Sequence, residues 1–156
     1  KSSLLASITS AKPKIANYKF TTLNPNLGVA RYDDKEITLA DIPGLIENAH
    51  TGIGLGIKFL KHIERCKTLL HLIDANEIDL IKSYNQVRNE LGKYSKKLLK
   101  KEEIIIFNKI DLIDGKELNY KKKNFNSKTG KEILVLSTLD KKLVRDIKEK
   151  IVKYVS

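Results

Sequence analysis

The chain has 156 residues, of which 41% are hydrophobic, and a formal net charge of +11. This length suits one domain with a hydrophobic core, and we assign residues 1–156 to a single domain. No apolar run approaches the roughly 20 residues that span a bilayer, and a single cysteine excludes an internal disulfide.

The first two residues, Lys1-Ser2, match the last two positions of a phosphate-binding loop of the pattern G-x-x-x-x-G-K-[ST], and Ser3 follows them. In such a loop the Lys reaches the β and γ phosphates, and the Ser hydroxyl binds Mg²⁺. An apolar face over residues 4–8 predicts a helix that ends before Pro13. By itself the dipeptide is not diagnostic, because Lys-Ser recurs by chance.

Two threonines, Thr21 and Thr22, follow in the loop between this helix and the next strand. A threonine there can coordinate Mg²⁺ through its hydroxyl and meet the γ-phosphate through its N–H. It does so in the triphosphate state alone, which makes the loop a switch. An ordinary polar loop is the alternative interpretation.

Strands over residues 27–32 and 36–40 flank a turn at residues 33–35 and predict an antiparallel hairpin. Asp41-Ile42-Pro43-Gly44 follows directly. A D-x-x-G segment at a strand end places a carboxylate near Mg²⁺, usually through a water, and a Gly N–H near the γ-phosphate. Pro-Gly alone is an ordinary turn signal, so the order of the segments is what discriminates.

The apolar run 104–107 predicts a buried strand, and Asn108-Lys109-Ile110-Asp111 follows it. An Asp at a strand end can accept two hydrogen bonds from the N1–H and N2–H₂ groups of guanine, a donor pair that adenine lacks. The Asn can brace the site, and the Lys stem can lie over the ring. After a strand over 133–136, backbone N–H groups of Ser137-Thr138-Leu139 can donate to guanine O6.

The remaining pattern alternates strands and helices and predicts a mostly parallel α/β sheet. Residues 69–73 are a strand in which His71 is expected to lie in the core, and residues 114–132 are expected to be a loop with a short helix. Two helices are predicted from apolar spacing, one through Leu80, Tyr84, Val87, Leu91, Tyr94 and Leu98 and a final one through Leu143, Ile147, Ile151 and Tyr154.

The order of these segments matches small GTPases. Residues 12–28 resemble the first switch of the Obg/CgtA GTPases, and residues 41–50, 52–56 and 59–65 resemble their second switch and the helix after it. This resemblance implies a Ras-like P-loop GTPase domain, with helices on both faces of the sheet and its first central strand missing before Lys1. Without that strand and most of the phosphate loop, residues 1–156 alone are expected to bind GTP poorly.

The resemblance also implies a cytoplasmic, monomeric GTPase that binds GTP and GDP with Mg²⁺ and acts in large ribosomal subunit assembly and stress signalling, with no DNA or membrane partner. It implies that Lys1 and Thr22 are catalytic. It also implies a metal site formed by Ser2, Thr22 and Asp41, the last acting through a water. The implied nucleotide-binding residues are Lys1, Ser2, Ser3, Phe20, Thr21, Thr22, Leu23, Asn24, Asp41, Ile42, Pro43, Gly44, Asn108, Lys109, Ile110, Asp111, Ser137, Thr138 and Leu139.

Leu45 occupies the position after D-x-x-G where related enzymes often have a Gln that orients the attacking water. Leu cannot form hydrogen bonds, so slow turnover is expected, and the family resemblance implies compensation by a phosphate-loop Asn and K⁺. The alternative is a non-catalytic RNA- or ribosome-binding module that keeps the fold.

The positive charge fits ribosomal RNA as a partner, but Lys greatly outnumbers Arg, and a lysine-biased proteome produces the same pattern with no partner. The runs Lys96-Lys97, Lys100-Lys101 and Lys121-Lys122-Lys123 are interpreted as solvated faces in preference to contact surfaces.

Overall fold

The structure, a computed structural model, describes residues 2–9, 14–15, 26–41 and 64–155. Within these ranges the strands form two three-stranded sheets, with the orders β1-β2-β3 and β4-β5-β6. The elements in chain order are α1 (Ser2–Ile8), β1 (Lys14–Ile15), β2 (Asn26–Tyr32), β3 (Lys35–Ala40), β4 (Thr68–Asp74), α2 (Leu80–Tyr94), α3 (Lys96–Leu99), β5 (Glu102–Asn108), a 3-10 helix (Ile110–Leu112), α4 (Gly115–Thr129), β6 (Ile133–Val135) and α5 (Lys141–Val155).

The first sheet is antiparallel and contains the predicted hairpin. Strands β2 and β3 pair from Leu27 opposite Ala40 to Tyr32 opposite Lys35, and Asp33 turns the chain with a φ of 54°. Positive φ at a hairpin turn matches the twist of the flanking strands, and Asp tolerates it better than most residues. The short strand β1, which the sequence did not predict, pairs with β2 on its other side.

The second sheet is parallel throughout, as the alternating pattern predicted. Its strands β4 and β5 pair from Thr68 opposite Glu102 to Asp74 opposite Asn108, and β6 pairs with the other edge of β5. Within the described ranges, β3 pairs with β2 alone and β4 with β5 alone.

Helix α1 packs closely against β2. Its residues Leu4, Leu5 and Ile8 are buried, which confirms the predicted apolar face. A Cβ atom on Gly28 would lie 2.3 Å from the Cγ2 atom of Thr9, at the end of this helix. Glycine at this position therefore allows the helix and the strand to approach each other.

Two groups of buried side chains cover opposite faces of the parallel sheet. One group includes Ile8, Ile106 and Ile151 and joins α1, the hairpin and α5 to the sheet. The other includes Phe107 and Phe125, which contact edge to face with ring centroids 5.2 Å apart, and joins α2 and α4 to the sheet. Helices thus lie on both faces, which confirms the predicted α/β architecture.

The helix predicted through residues 80–98 is two helices, so that prediction was wrong at its end. Ser95 is extended, with φ of −161° and ψ of 126°, and its side chain caps α3 by accepting from the N–H of Lys97. Serine competes with helical hydrogen bonding in this way because its hydroxyl can satisfy nearby N–H groups. Leu98 is buried, but it belongs to α3 and not to a continuation of α2.

The loop with a short helix that was predicted over residues 114–132 is instead almost entirely the 15-residue helix α4. Asp114 caps its start by accepting from the N–H of Glu117, and Gly130 ends it in the left-handed conformation, with φ of 67°. The single side chain that this helix buries fully is Phe125, with Leu118 packed partly against the same core. Lysine-rich composition concealed the helix, although an Asp N-cap and a C-terminal Gly are standard boundary signals.

The final helix α5 was predicted correctly, but one residue predicted for its apolar face is exposed. Ile147, Ile151 and Val152 are buried, whereas Tyr154 is 56% exposed. Tyr154 lies beside Glu102, whose charge, with a smaller effect of burial, raises the pKa of the Tyr154 phenol.

One carboxylate is buried near the start of β5. The side chain of Glu103 is 1% exposed, and it accepts from Tyr84 at 3.2 Å and Arg88 at 3.4 Å, and lies 2.8 Å from Nδ1 of His71. Burial alone would raise the pKa of Glu103, but the hydrogen bond and charge of His71 and the charge of Arg88 outweigh burial and lower it. His71 is buried as predicted, and its ring stacks on Tyr84.

We predict that Glu103→Gln lowers the free energy of unfolding by about 2 to 4 kcal/mol at pH 7, because it removes the buried carboxylate that the partly buried Arg88 guanidinium and the His71 ring contact. A pKa lowered in the folded state contributes stability above the unfolded pKa of about 4.3 and loses it as pH falls through the folded pKa. The difference between the variant and the wild type should therefore shrink as pH falls below about 4. Urea unfolding across pH measures this, with the exposed neighbour Glu102→Gln as the control. Equal stability of the two variants at pH 7 would contradict it.

Candidate functional site

The carboxyl ends of the three parallel strands meet at one edge of the second sheet. Asp74 at the end of β4 lies opposite Asn108 at the end of β5. Two backbone hydrogen bonds connect the segments that follow β5 and β6, from the N–H of Leu136 to the carbonyl of Phe107 at 2.8 Å and from the N–H of Ile110 to the carbonyl of Leu136 at 3.3 Å. This connection brings the two predicted guanine-reading segments together.

A side-chain hydrogen bond also joins those segments, between Ser137 and Asp111. The hydroxyl of Ser137 donates to Oδ1 of Asp111 at 2.7 Å. Ser137 is 3% exposed, whereas Asp111 is exposed, so the serine holds one oxygen of the carboxylate from the protein side. The same hydroxyl accepts from the N–H of Leu139 at 3.3 Å, which fixes the loop that begins at Ser137.

The two other residues of this loop whose backbone was predicted to contact the base differ in side-chain exposure. Thr138 is half-buried and Leu139 is 82% exposed. Immediately afterwards, Asp140 accepts from the N–H groups of Lys142 and Leu143 at 2.9 and 3.2 Å and so caps α5. The loop between β6 and α5 is therefore held at both ends by side-chain oxygens, while its middle faces solvent.

Asn108 carries a buried atom that the described part of the chain leaves unsatisfied. Its Oδ1 has no hydrogen-bond partner among the described residues. A buried acceptor without a donor is costly, and such atoms often mark functional sites. The backbone carbonyl of Asn108, in contrast, accepts from the N–H of Ala75 at 2.8 Å.

Lys109 adopts a conformation that is uncommon for a residue with a Cβ atom. Its φ and ψ are 59° and 37°, in the left-handed region, at the start of the 3-10 helix that contains Ile110 and Asp111. Its Nζ lies 3.1 Å from Oδ2 of Asp74, so the ammonium group is held at the end of the neighbouring strand.

The segment after β4 is anchored from α4. The Nζ of Lys121 donates to the carbonyls of Ala75 and Glu77 at 2.7 and 2.9 Å, and it pairs with Glu117 at 3.1 Å. The interpretation of the lysine run 121–123 as a solvated face is therefore wrong for Lys121, whose side chain is 12% exposed. Lys123 in the same run is exposed, as predicted.

The predicted phosphate and metal residues are described less completely than the base-reading residues. Ser2 and Ser3 lie in the first turn of α1, and Asp41 directly follows β3 and is half-buried. The other predicted residues of this part of the site lie outside the described ranges, namely Lys1, Phe20, Thr21, Thr22, Leu23, Asn24, Ile42, Pro43 and Gly44.

Two features are absent from the part of the chain that the structure describes. In residues 2–9, 14–15, 26–41 and 64–155, no three or more His, Cys, Asp or Glu side chains gather as a metal site would require. In the same ranges, no helix has the length and apolar character needed to cross a bilayer.

Two residues that contact this edge of the sheet were not predicted as part of the site, namely Asp74 at the end of β4 and Lys121 on α4. A signal existed for Asp74, because it ends an apolar strand adjacent to the strand before Asn108, and parallel strands end at the same edge. Lys121 offered no signal, since its contacts with Ala75 and Glu77 span more than 40 residues of sequence.

Known proteins resemble this chain in sequence. Residues 1–109 match the sequence model of the family described as 50S ribosome-binding GTPase. Proteins named GTPase Obg are similar to the chain: that of Pelagibacter ubique is 67% identical over the whole chain and 48% of the relative, and that of Ehrlichia chaffeensis is 56% identical over 90% of the chain and 41% of the relative. The chain thus spans about half the length of the curated relatives it matches.

Solved structures share the fold. The G domain of the T. maritima FeoB iron transporter superposes with a TM-score of 0.64 at 21% identity, over the whole of this chain and 91% of that chain. A mutant of S. thermophilus NFeoB bound to GDP gives a TM-score of 0.69 at 19% identity, over the whole of this chain and 58% of that chain. At these identities the likeness supports the P-loop GTPase fold.

We predict that Ser137→Ala in the complete protein weakens GDP binding about three- to tenfold, because it removes the donor that orients the Asp111 carboxylate. The measurement is calorimetric titration with GDP. Ser127→Ala is the matched control, since the Ser127 hydroxyl donates to the carbonyl of Asn124 on α4, away from this loop. Unchanged GDP affinity in Ser137→Ala would show that the serine does not orient the carboxylate.

Proposed function

This chain belongs to the 50S ribosome-binding GTPases of the Obg type, and we propose that in the complete protein residues 1–156 supply the domain that binds GTP and slowly hydrolyses it to GDP and phosphate. The observation that carries the proposal is the meeting of the N-K-x-D segment with Ser137 at the carboxyl edge of the parallel sheet. Ligands of open α/β sheets bind at this edge.

The proposed base site selects guanine through Asp111. One carboxylate oxygen accepts from Ser137, and the exposed carboxylate retains acceptor capacity for the N1–H and N2–H₂ groups of the base. The backbone N–H of Thr138 would face O6, whereas the N–H of Leu139 donates to the Ser137 hydroxyl. A site built on such acceptors rejects adenine, because the amino group at C6 would meet donors and the acceptors would stay unpaired.

The proposed phosphate site uses oxygen donors for Mg²⁺. The hydroxyls of Ser2 and Thr22 would ligate the ion directly, and Asp41 would act through a water, while Lys1 would contact the phosphates. This set fits Mg²⁺, which prefers oxygen ligands and retains several of its waters. When bound, the ion would offset charge that develops on the phosphate oxygens.

Hydrolysis is proposed to be slow because Leu45 cannot orient the attacking water. A compensating phosphate-loop Asn with K⁺ belongs to the same proposal. Slow turnover suits a timer, in which Gly52, Gly54 and Gly56 allow the second switch to change conformation with the state of the nucleotide. The proposed setting is the cytoplasm.

The proposed partner is the large ribosomal subunit with its RNA. The proposed processes are assembly of that subunit and the stress response. Support comes from the description of the matched family as 50S ribosome-binding and from the net charge of +11. Positive charge attracts the RNA backbone in a salt-dependent way that does not read sequence.

We predict that Asp111→Asn in the complete protein weakens GTP binding at least tenfold and strengthens binding of xanthosine triphosphate, because an amide can donate to the O2 of xanthine. Competitive titration with both nucleotides measures this exchange of specificity. Asp114→Asn is a matched control, since it removes one carboxylate three residues away and Asn caps a helix as well as Asp. Full GTP affinity in Asp111→Asn would contradict the base site.

We predict that the complete protein sediments with purified large subunits more strongly with a non-hydrolysable GTP analogue than with GDP, since the γ-phosphate would order the switches. The bound fraction should fall as salt rises, because lysine contacts with phosphate release counterions. Co-sedimentation that is equal in both nucleotide states would contradict the proposed switch.

A further inference from the structure

Asp74 is the charged side chain nearest to Lys109 in the described site, and neither the base-reading motif nor the phosphate site includes it. We propose that Asp74 is a positioning residue that holds the Lys109 ammonium at the sheet edge, so that the lysine stem is in place over the purine ring before the nucleotide binds. The inference rests on the proposed function, because it concerns the same guanine site.

The carboxylate of Asp74 is itself fixed. Its Oδ1 accepts from the N–H of Asn76 at 2.9 Å, and its Oδ2 lies 3.1 Å from Nζ of Lys109. Oδ1 therefore stabilises the turn after β4, and Oδ2 contacts the lysine. A carboxylate anchored through one oxygen presents the other in a defined direction.

The backbone on both sides of this ion pair is also fixed. Asp74 is in register with Asn108, and the N–H of Ala75 donates to the Asn108 carbonyl at 2.8 Å. Lys121 holds the carbonyls of Ala75 and Glu77 from α4. The left-handed backbone of Lys109 starts the 3-10 helix on the opposite side. The ion pair thus joins two backbone segments that other contacts already hold.

The gain from such a pair is preorganisation rather than folding stability. The side chains of Lys109 and Asp74 are 56% and 30% exposed, and ion pairs at such exposure add little to stability. A lysine side chain has many rotamers, and losing them on binding weakens affinity. Asp74 restricts that freedom in the free protein, so the ligand has less of it to remove.

The sign of the expected effect separates this role from simple electrostatics. A carboxylate near an anionic nucleotide repels it, so removing the charge of Asp74 should strengthen binding if the charge alone matters. If Asp74 acts by holding Lys109, removing its charge should weaken binding. The two interpretations predict opposite directions.

The test is a double-mutant cycle on GDP affinity in the complete protein, measured by calorimetry, with Asp74→Asn, Lys109→Met and the double variant. Methionine keeps an apolar stem over the ring and removes the ammonium group. We expect Asp74→Asn to raise the dissociation constant about two- to fivefold, the range expected for an exposed ion pair. In the Lys109→Met background it should have no further effect.

Asp79→Asn is the matched control, because it removes one carboxylate from the same β4–α2 loop and retains an N-cap for α2. We expect its GDP affinity to be unchanged or slightly higher, and the melting temperatures of all variants to stay close to that of the wild type. Unchanged or tighter binding in Asp74→Asn, or a full effect of Asp74→Asn in the Lys109→Met background, would overturn the positioning role alone. Failure of the wild-type protein to bind GDP would overturn the proposed function and this role together.

Discussion

The proposed base-reading arrangement depends on one hydrogen bond between distant segments, from the Ser137 hydroxyl to the Asp111 carboxylate at 2.7 Å. It forms because parallel strands end at the same edge, and because the backbone of Leu136 bonds to Phe107 and Ile110. Ser137 is buried and Asp111 is exposed, so one side of the carboxylate faces the protein and the other faces solvent. Backbone and lysine contacts hold the rest of the N-K-x-D segment, and this hydrogen bond holds its Asp111 carboxylate.

The parts of the fold with strong local signals were predictable. The hairpin was evident from two apolar strands around a charged turn, and the parallel strands were evident from short apolar runs between helical patterns. Errors arose where a polar residue controls a boundary. Ser95 ends one helix and caps the next, and Asp114 and Gly130 delimit a lysine-rich helix that composition concealed. In each case a local side-chain hydrogen bond or a backbone conformation decided the outcome, and hydrophobic periodicity could not report it.

The site residues that could be predicted differ from those that could not in how far along the sequence their contacts lie. The segment 108–111 and Ser137 could be named from motif order, and the described structure brings them together. The strand-end position of Asp74 was a signal that did not identify its partner Lys109, which is 35 residues away. Lys121 could not be assigned, because its partners lie more than 40 residues away in sequence. A motif identifies the groups that would touch the ligand, whereas the groups that hold them are set by topology. Lys121 is therefore a supporting residue that the sequence alone does not reveal, whereas the supporting Ser137 follows from motif order.

The central claim is that the Asp111 carboxylate reads the Watson–Crick edge of guanine. The most direct test compares GDP with inosine diphosphate, which differs by the absence of the exocyclic 2-amino group, in calorimetric titration of the complete protein. The account predicts that the inosine nucleotide binds at least about tenfold more weakly, because one carboxylate acceptor is then left without its donor. Equal affinity for the two nucleotides would contradict it.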